Sequence, residues 1–462
     1  MTTDRAPGPD RPPAGPEPGP PAPGGGAVPD RALPEPALPG GVVPGDGLRL
    51  YRWRSGPVVA VAMVALFAGF GQFGAVAALG DVAKSFGHLQ HGATISDQAG
   101  LSGTELGIGL AVIRLASLGG LPLTAMADRI GRRRTLLVTC ALGLAITVGA
   151  ALSPSYWWFV AIFALGRPLL TATGGVSQVS AAELTASSDR AFAVGLIAAG
   201  YGIGAGITAV THSLASSVLG FRGIFALAAV PLVLLALLRH KVVEPDRFAK
   251  VTAADYEPPV LGPVERRHRK KLVIICLLAF AISVITGPAN SLVFLYAQNV
   301  LRVPGVITAA MVVAAGFTGL AGLLAGRWGA DHVGRRVTVA LAMVGMAGFG
   351  ILTYSGSRPA LLAGYVLGVL AGSVFAPAGG TLANELFPTN VRASVAGWYT
   401  AAGVLGAVVG LLVFGAVADA GNRFSIAAVV TFLAVLPAAG LLALLPETRG
   451  KEPEQLWSEH RV

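Results

Sequence analysis

The sequence predicts an all-α membrane protein, with twelve transmembrane helices in two pseudo-symmetric six-helix halves. Three observations predict it. The chain is 53% hydrophobic and only 13% charged, where about a quarter of an ordinary globular domain is charged. Its apolar residues gather into twelve runs, each near the roughly 20 helical residues that cross a hydrocarbon core about 30 Å thick. Finally, two unrelated motifs recur at nearly one spacing. ADRIGRR at 127–133 returns as ADHVGRR at 330–336, so that Asp128, Gly131, Arg132 and Arg133 are matched 203 residues later by Asp331, Gly334, Arg335 and Arg336. ELTASSDRAFAVG at 183–195 returns as ELFPTNVRASVAG at 385–397, which pairs Glu183, Arg190 and Gly195 with Glu385, Arg392 and Gly397 at an offset of 202. The chain is therefore a duplicated unit, as in secondary transporters whose halves rock about a central site.

In chain order, residues 1–46 hold 14 of the 31 prolines and few bulky apolar residues. They read as a disordered, Pro/Gly-rich cytoplasmic tail with no signal-peptide core. The N-terminal half, 47–243, carries spans 1–6 at 57–80, 104–126, 135–153, 156–181, 190–218 and 222–243. A polar linker, 244–270, ends in the basic run ERRHRKK and is expected to act as the hinge. The C-terminal half, 271–446, carries spans 7–12 at 271–297, 305–326, 337–355, 359–384, 392–418 and 424–445, before a short cytoplasmic tail, 447–462. Helices are the only option, because lipid offers unpaired backbone groups no partner and the runs are too long for barrel strands. Glycines at 195, 200, 202, 204 and 206, and at 397, 403, 406 and 410, are expected to let helices pack closely. Trp157 and Trp158 open span 4 as interfacial anchors. Cys140 and Cys276 lie in different spans and imply neither a disulfide framework nor a metal site.

The net charge of +10 is topological. With the N-terminus inside, inside-facing segments from residue 47 onward hold 24 lysines and arginines, while outside-facing loops hold five: Lys84, Arg222, Arg302, Arg358 and Arg423. That asymmetry places both termini in the cytoplasm of a plasma-membrane protein. No soluble domain is present to carry a nucleic-acid partner. The expected partners are the lipid bilayer and a small-molecule substrate, with or without a proton as co-substrate, acting on a monomer. There is no metal-ligand cluster, nucleophile elbow or phosphate loop, so neither an enzyme nor a cofactor is expected.

The loop ADRIGRRRTLL between spans 2 and 3, its copy between spans 8 and 9, and the Glu–x6–Arg elements after spans 4 and 10 resemble the major facilitator superfamily over about residues 50–455. PETRG at 446–450 and ELFPTNVRASVAG resemble its sugar-porter and organic-acid symporter branch. Two features depart from that branch. Thr124 and Arg327 stand where the first motif usually has glycine, and SVITGPANS in span 7 keeps Gly287 and Asn290 without a preceding glutamine pair. The loop has a logic of its own: Arg129, Arg132, Arg133 and Arg134 repel one another unless carboxylates intervene, Asp128 is nearest, and Gly131 permits a tight turn. The resemblance implies that Asp128 also faces the start of span 11, favoured there by the helix dipole, as a cytoplasmic latch that breaks on inward opening. It also implies supporting pairs Glu183–Arg190 and Glu385–Arg392, with Asp331, Arg335 and Arg132 as the corresponding loop residues.

Substrate chemistry is expected at mid-membrane. Arg114 in span 2 and Arg167 in span 4 each stand about 14 residues, roughly 21 Å, from the cytoplasmic end. An arginine at that depth should face the bundle interior. Arg167, Thr171, Gly174 and Gln178 form a polar stripe at helical spacing, and Tyr201, Ala205, Thr208 and His212 form another on span 5. Asn290, Gln298 and Tyr365 are expected, by resemblance, to line the C-terminal side. No carboxylate sits at matching depth, so the missing negative charge is expected to arrive with the substrate, a small organic anion held by the guanidinium fork. The alternatives are that Arg167 is structural and that Arg114 is held by backbone carbonyls or by Glu105. His212 is a candidate proton carrier, since imidazoles titrate near neutrality. A sugar or polyol symporter, a multidrug exporter and, from another class, a non-transporting receptor are the competing readings. The receptor lacks a sensory domain, and GLIAAGYGIGAG in span 5 lacks the exporters' Gly-Pro.

Overall fold

The structure is a computed structural model that describes residue 2 and residues 42–43, 49–88, 94–246, 261–388, 391–434 and 436–449. Most of the expected tail 1–46, the middle of the linker and the chain beyond 449 lie outside these. Val42–Val43 pairs antiparallel with Leu50–Tyr51 in a two-residue ribbon.

Among the described residues, eleven helices are long and apolar enough to cross a membrane. Spans 1–4 are Gly56–Ala77, Gly103–Ile130, Arg132–Leu152 and Tyr156–Leu184, and the stretch Ser188–Ala226 holds span 5 and, beyond a backbone break at Gly220, the start of span 6. Spans 7–12 are Arg266–Val300, Gly305–His332, Arg335–Thr353, Arg358–Ala383, Ser394–Gly421 and Phe424–Leu444. The sixth crossing is set off from span 5 and is itself segmented. Gly220 breaks the long helix with φ 56, a conformation that favours glycine. A second break falls at 227–228, before Ala229–Leu238. Pro231 has no N–H to give the Leu227 carbonyl, which takes the Val230 amide instead at 3.0 Å, tightening that turn.

Close packing follows from small residues. Gly200 and Gly204 of span 5 press on the Ala62 and Leu66 carbonyls of span 1, and Gly406 and Gly410 of span 11 press on the Phe280 and Val284 carbonyls of span 7. A side chain at any of these positions would collide with backbone, which is the close-approach role expected of the glycines.

The duplication is also geometric. Gly131 and Gly334 share one backbone shape, φ 101, ψ 145 and φ 123, ψ 148. Glu244 caps the helix after the first, accepting from the amides of Arg132 at 2.5 Å and Arg133 at 3.0 Å. Glu447, 203 residues on, accepts from those of Arg335 and Arg336 at 3.0 and 3.2 Å. Non-glycine residues are strained at such φ,ψ by about 1–3 kcal/mol. Gly131→Ala is therefore expected to lower the midpoint of thermal unfolding by several degrees, whereas Gly195→Ala, which meets nothing within 4 Å, should leave it unchanged.

Both ends of the expected linker 244–270 are described, while residues 247–260 lie outside the described residues. Glu244 belongs to the first half's cap, Asp246 accepts from the Arg49 amide at 2.9 Å, and Arg266 onward is already the first turns of span 7. The expected tail at 447–462 likewise starts later, since Glu447 is part of the second half. Buried apolar residues form two clusters. One fills the C-terminal half and continues across the ends of the N-terminal half distant from the basic loops. The other belongs to the N-terminal half alone, toward the basic end.

Candidate functional site: two mid-span arginines and a clasp between the halves

Arg114 is followed by a tight turn, Ser117–Gly119, and the Ser117 hydroxyl donates to the Arg114 carbonyl at 2.6 Å. Across from it Arg167 precedes Pro168 inside span 4. The two guanidiniums are electrostatic neighbours of each other, and both sense the Tyr201 phenol. Arg167 Nε and Thr171 Oγ1, one turn apart, are buried without a hydrogen-bond partner. The described acids around them are committed elsewhere. Glu105 accepts from Ser102 N at 3.2 Å and Ser102 Oγ at 3.1 Å in a capping box, so it does not hold Arg114. Asp128 and Glu183 both meet Arg132, Asp81 meets His212, and Asp419 caps span 2. Unpaired buried cations are costly, and neither guanidinium has a described carboxylate among its electrostatic neighbours.

Tyr201 donates to Gln72 Oε1 at 2.9 Å. Gln72 was missed by sequence reasoning, although a lone amide inside the GFGQFG run of span 1 was a legible signal. On the other half, Asn290 and Tyr365 come together as expected, lining a cavity of about 200 Å³ with Thr286, Thr353 and Ser373. Phe294 meets Tyr365 edge-on at 6.1 Å and Phe73 of span 1 at 5.7 Å, so an aromatic bridge joins the two halves of the site. Gln178 is exposed further along the Arg167 stripe. Thr208 is a correction: it is 1% exposed, and its hydroxyl donates to the Phe70 and Gly204 carbonyls at 2.9 and 3.1 Å. It packs spans 1 and 5 together and does not face the cavity.

His212 is not a lone helix histidine. It is fully buried, with Nε2 2.8 Å from Asp81 Oδ2 and Nδ1 3.3 Å from Gln298 Nε2, which joins the halves away from the basic end. Gln298, expected in the cavity, sits in this clasp. A π-helical turn, Tyr296–Val300, ends span 7 and presents it, along with Asn299, whose Nδ2 donates to the Gly80 and Ala99 carbonyls at 2.9 Å each. Asp419 of span 11 completes the closure, accepting from the amides of Gly103 at 2.6 Å and Thr104 at 2.8 Å and from the Thr104 hydroxyl at 2.5 Å. Gly103 and Gly107 make room for span 11.

At the basic end Glu183 bonds Arg132 at 3.1 Å, where Arg190 was expected, and Glu385 bonds Arg335 at 2.8 Å. Arg190 is exposed, and Arg392 Nε donates to the Phe387 carbonyl at 3.0 Å. Side chains from residues about 50 apart reach each other here because spans 3 and 4, like 9 and 10, are antiparallel neighbours. Asp128 meets Arg132 of its own half. Its copy, Asp331, is exposed.

The family model of the Major Facilitator Superfamily matches residues 61–330 and 304–461. The chain belongs to this superfamily. A Haemophilus influenzae protein named for metabolite transport is 27% identical over 354 residues, 73% of this chain and 85% of its own length. A Cupriavidus pinatubonensis protein named as a 4-methylmuconolactone transporter is 26% identical over 367 residues, covering 76% and 84%. The inward-open xylose transporter XylE from E. coli superposes with a TM-score of 0.67 at 17% identity, covering 87% of this chain and 98% of that one. The nucleoside transporter NupG gives 0.64 at 14%, covering 84% and 98%. These two likenesses show the fold. The chain is thus a transporter of the alternating-access type and not an enzyme. His212, Asn299 and Asp419 clasp the two halves together at the end away from the basic loops.

Proposed function

We propose that the protein carries a small organic anion of carboxylate type across the plasma membrane, with Arg114, Arg167, Thr171 and Tyr201 of one half and Asn290 and Tyr365 of the other around it. One observation carries this reading: two neighbouring guanidiniums in mid-span, with Arg167 Nε and Thr171 Oγ1 buried and unpartnered, and no described acid spent on them. A carboxylate supplies paired acceptors and the missing charge. A lactone-transporter name on one relative agrees with an organic-acid cargo without deciding it. The basic end is read as cytoplasmic, with both termini there. Gln178, exposed on the Arg167 stripe, then stands on the route to the cytoplasm.

The test is purified protein in liposomes, challenged with monocarboxylates, phosphorylated metabolites, sugars and hydrophobic cations under imposed pH gradients. Carboxylates are expected to be accumulated and to compete with one another. Saturable uptake of a neutral sugar, unaffected by carboxylates, would overturn the reading.

Asp128 is read as a latch that re-forms on span 11 when the carrier faces outward. Asp128→Asn is expected to slow turnover several-fold while leaving the order of competing compounds unchanged. An altered order would move Asp128 from the gate to the binding site.

A further inference from the structure

A groove of about 760 Å³ between spans 7 and 11, near the basic end, takes no part in the route described above. Val273, Cys276, Leu277 and Phe280 form one wall, Trp398 and Leu405 the other. The groove faces lipid. On span 11 its wall continues in exposed Val409, Leu412 and Val413, toward the end where the halves are closed and that stripe has no cleft to face. On span 7, Val273 and Leu277 are exposed and lie at least about 100° around the helix from Asn290, which lines the transport cavity.

The charge below the groove is ordered as well. Five of the six residues from Arg266 to Lys271 are basic, and Arg266, Arg269 and Lys270 share a helical face with Val273 and Leu277 at i, i+3, i+4, i+7 and i+11. Arg269 lines the groove and donates through Nε to the Val264 carbonyl at 3.2 Å, leaving its outer nitrogens to a ligand. Arg266 and Lys270 are exposed, whereas Arg267, on another face, is paired with Glu265 at 2.5 Å. The Trp398 indole donates to the Gly262 carbonyl at 3.2 Å, which fixes the ring at the mouth.

We propose that this groove is a specific site for an anionic phospholipid of the adjacent leaflet, with an acyl chain against Val273, Leu277 and Leu405 and the phosphate on Arg269, flanked by Arg266 and Lys270. A guanidinium fork matches phosphate oxygens. Each basic side chain near an anionic leaflet is worth about fivefold in affinity. A zwitterionic lipid fills the apolar part equally well but gains no net attraction.

The test uses the full chain in nanodiscs containing brominated phosphatidylglycerol or brominated phosphatidylcholine, with the difference between wild type and Trp398→Phe isolating the Trp398 emission. Phosphatidylglycerol is expected to quench that emission at a mole fraction at least about tenfold lower than phosphatidylcholine. The triple variant Arg266→Gln, Arg269→Gln, Lys270→Gln should bring the two lipids together. Val273→Trp keeps every charge but fills the groove, and should abolish retention of phosphatidylglycerol in native mass spectra even if the triple variant does not fold. Equal quenching by both lipids in the wild type, or retention undiminished in Val273→Trp, would overturn the proposal.

Discussion

Arg167→Ala is expected to cut anion uptake by about 100-fold or more in kcat/KM, since hydrogen bonds to a charged partner are each worth about 1.5–3 kcal/mol and the guanidinium offers two. Arg167→Lys should retain part of the activity, because an ammonium supplies the charge without the planar fork. Arg114→Ala should have an effect of the same kind, and the double variant should lose less than the sum, because each cation also repels the other. A second readout separates a binding role from a structural one. With Arg167 Nε already unpartnered in the empty protein, removing the side chain deletes an unpaired buried charge, and thermal stability without substrate should hold or rise. A structural arginine would instead lose several kcal/mol when removed. Robust sugar uptake by Arg167→Ala, together with a collapse in its stability, would end the anion reading and leave the carrier fold untouched.

The second large effect is expected at the opposite gate. Asp419→Ala removes three hydrogen bonds from a carboxylate to span 2, two of them to the otherwise unsatisfied amides that open its helix. At about 2–3 kcal/mol in total this should shift the conformational equilibrium by roughly 30- to 150-fold away from the state in the structure. His212→Phe should act in the same direction, since it cuts the Asp81 and Gln298 bonds at once. Distances between spin labels on the ends of spans 3 and 9 away from the basic loops report the change, and a lengthened population is expected in both variants. Unchanged distance distributions would show that these bonds do not hold the gate.

The two gates differ in how far they could be read in advance. The Gly131 turn and its copy were legible because a local φ requirement leaves a local residue mark. Glu244 and Glu447 were not singled out, although they repeat at the same 203-residue spacing, because a lone glutamate after an apolar run looks like any solvated charge until the helix end it caps is next to it. The choice of Arg132 over Arg190 as the partner of Glu183 has the same origin: both are near in sequence terms, and only the antiparallel packing of spans 3 and 4 decides which one arrives. His212 looked isolated because its partners, Asp81 and Gln298, lie 131 and 86 residues away. Thr208 was likewise assigned by the polar stripe of its own helix, whereas its hydroxyl meets the Phe70 carbonyl of span 1.

The sequence by itself determined the membrane class, the duplication, the crossings, and the presence of two mid-span arginines without an acid at their depth. All of these follow from composition and periodicity, which act within one helix at a time. Only the tertiary structure decided which polar groups were already spent on one another. It turned Thr208 from a cavity candidate into a packing contact, brought Asp81 and Gln298 to His212, and brought Gln72 to Tyr201. The physical reason is that hydrogen bonds and ion pairs act over a few ångströms, and the folded bundle, not the chain order, sets which side chains come within that range.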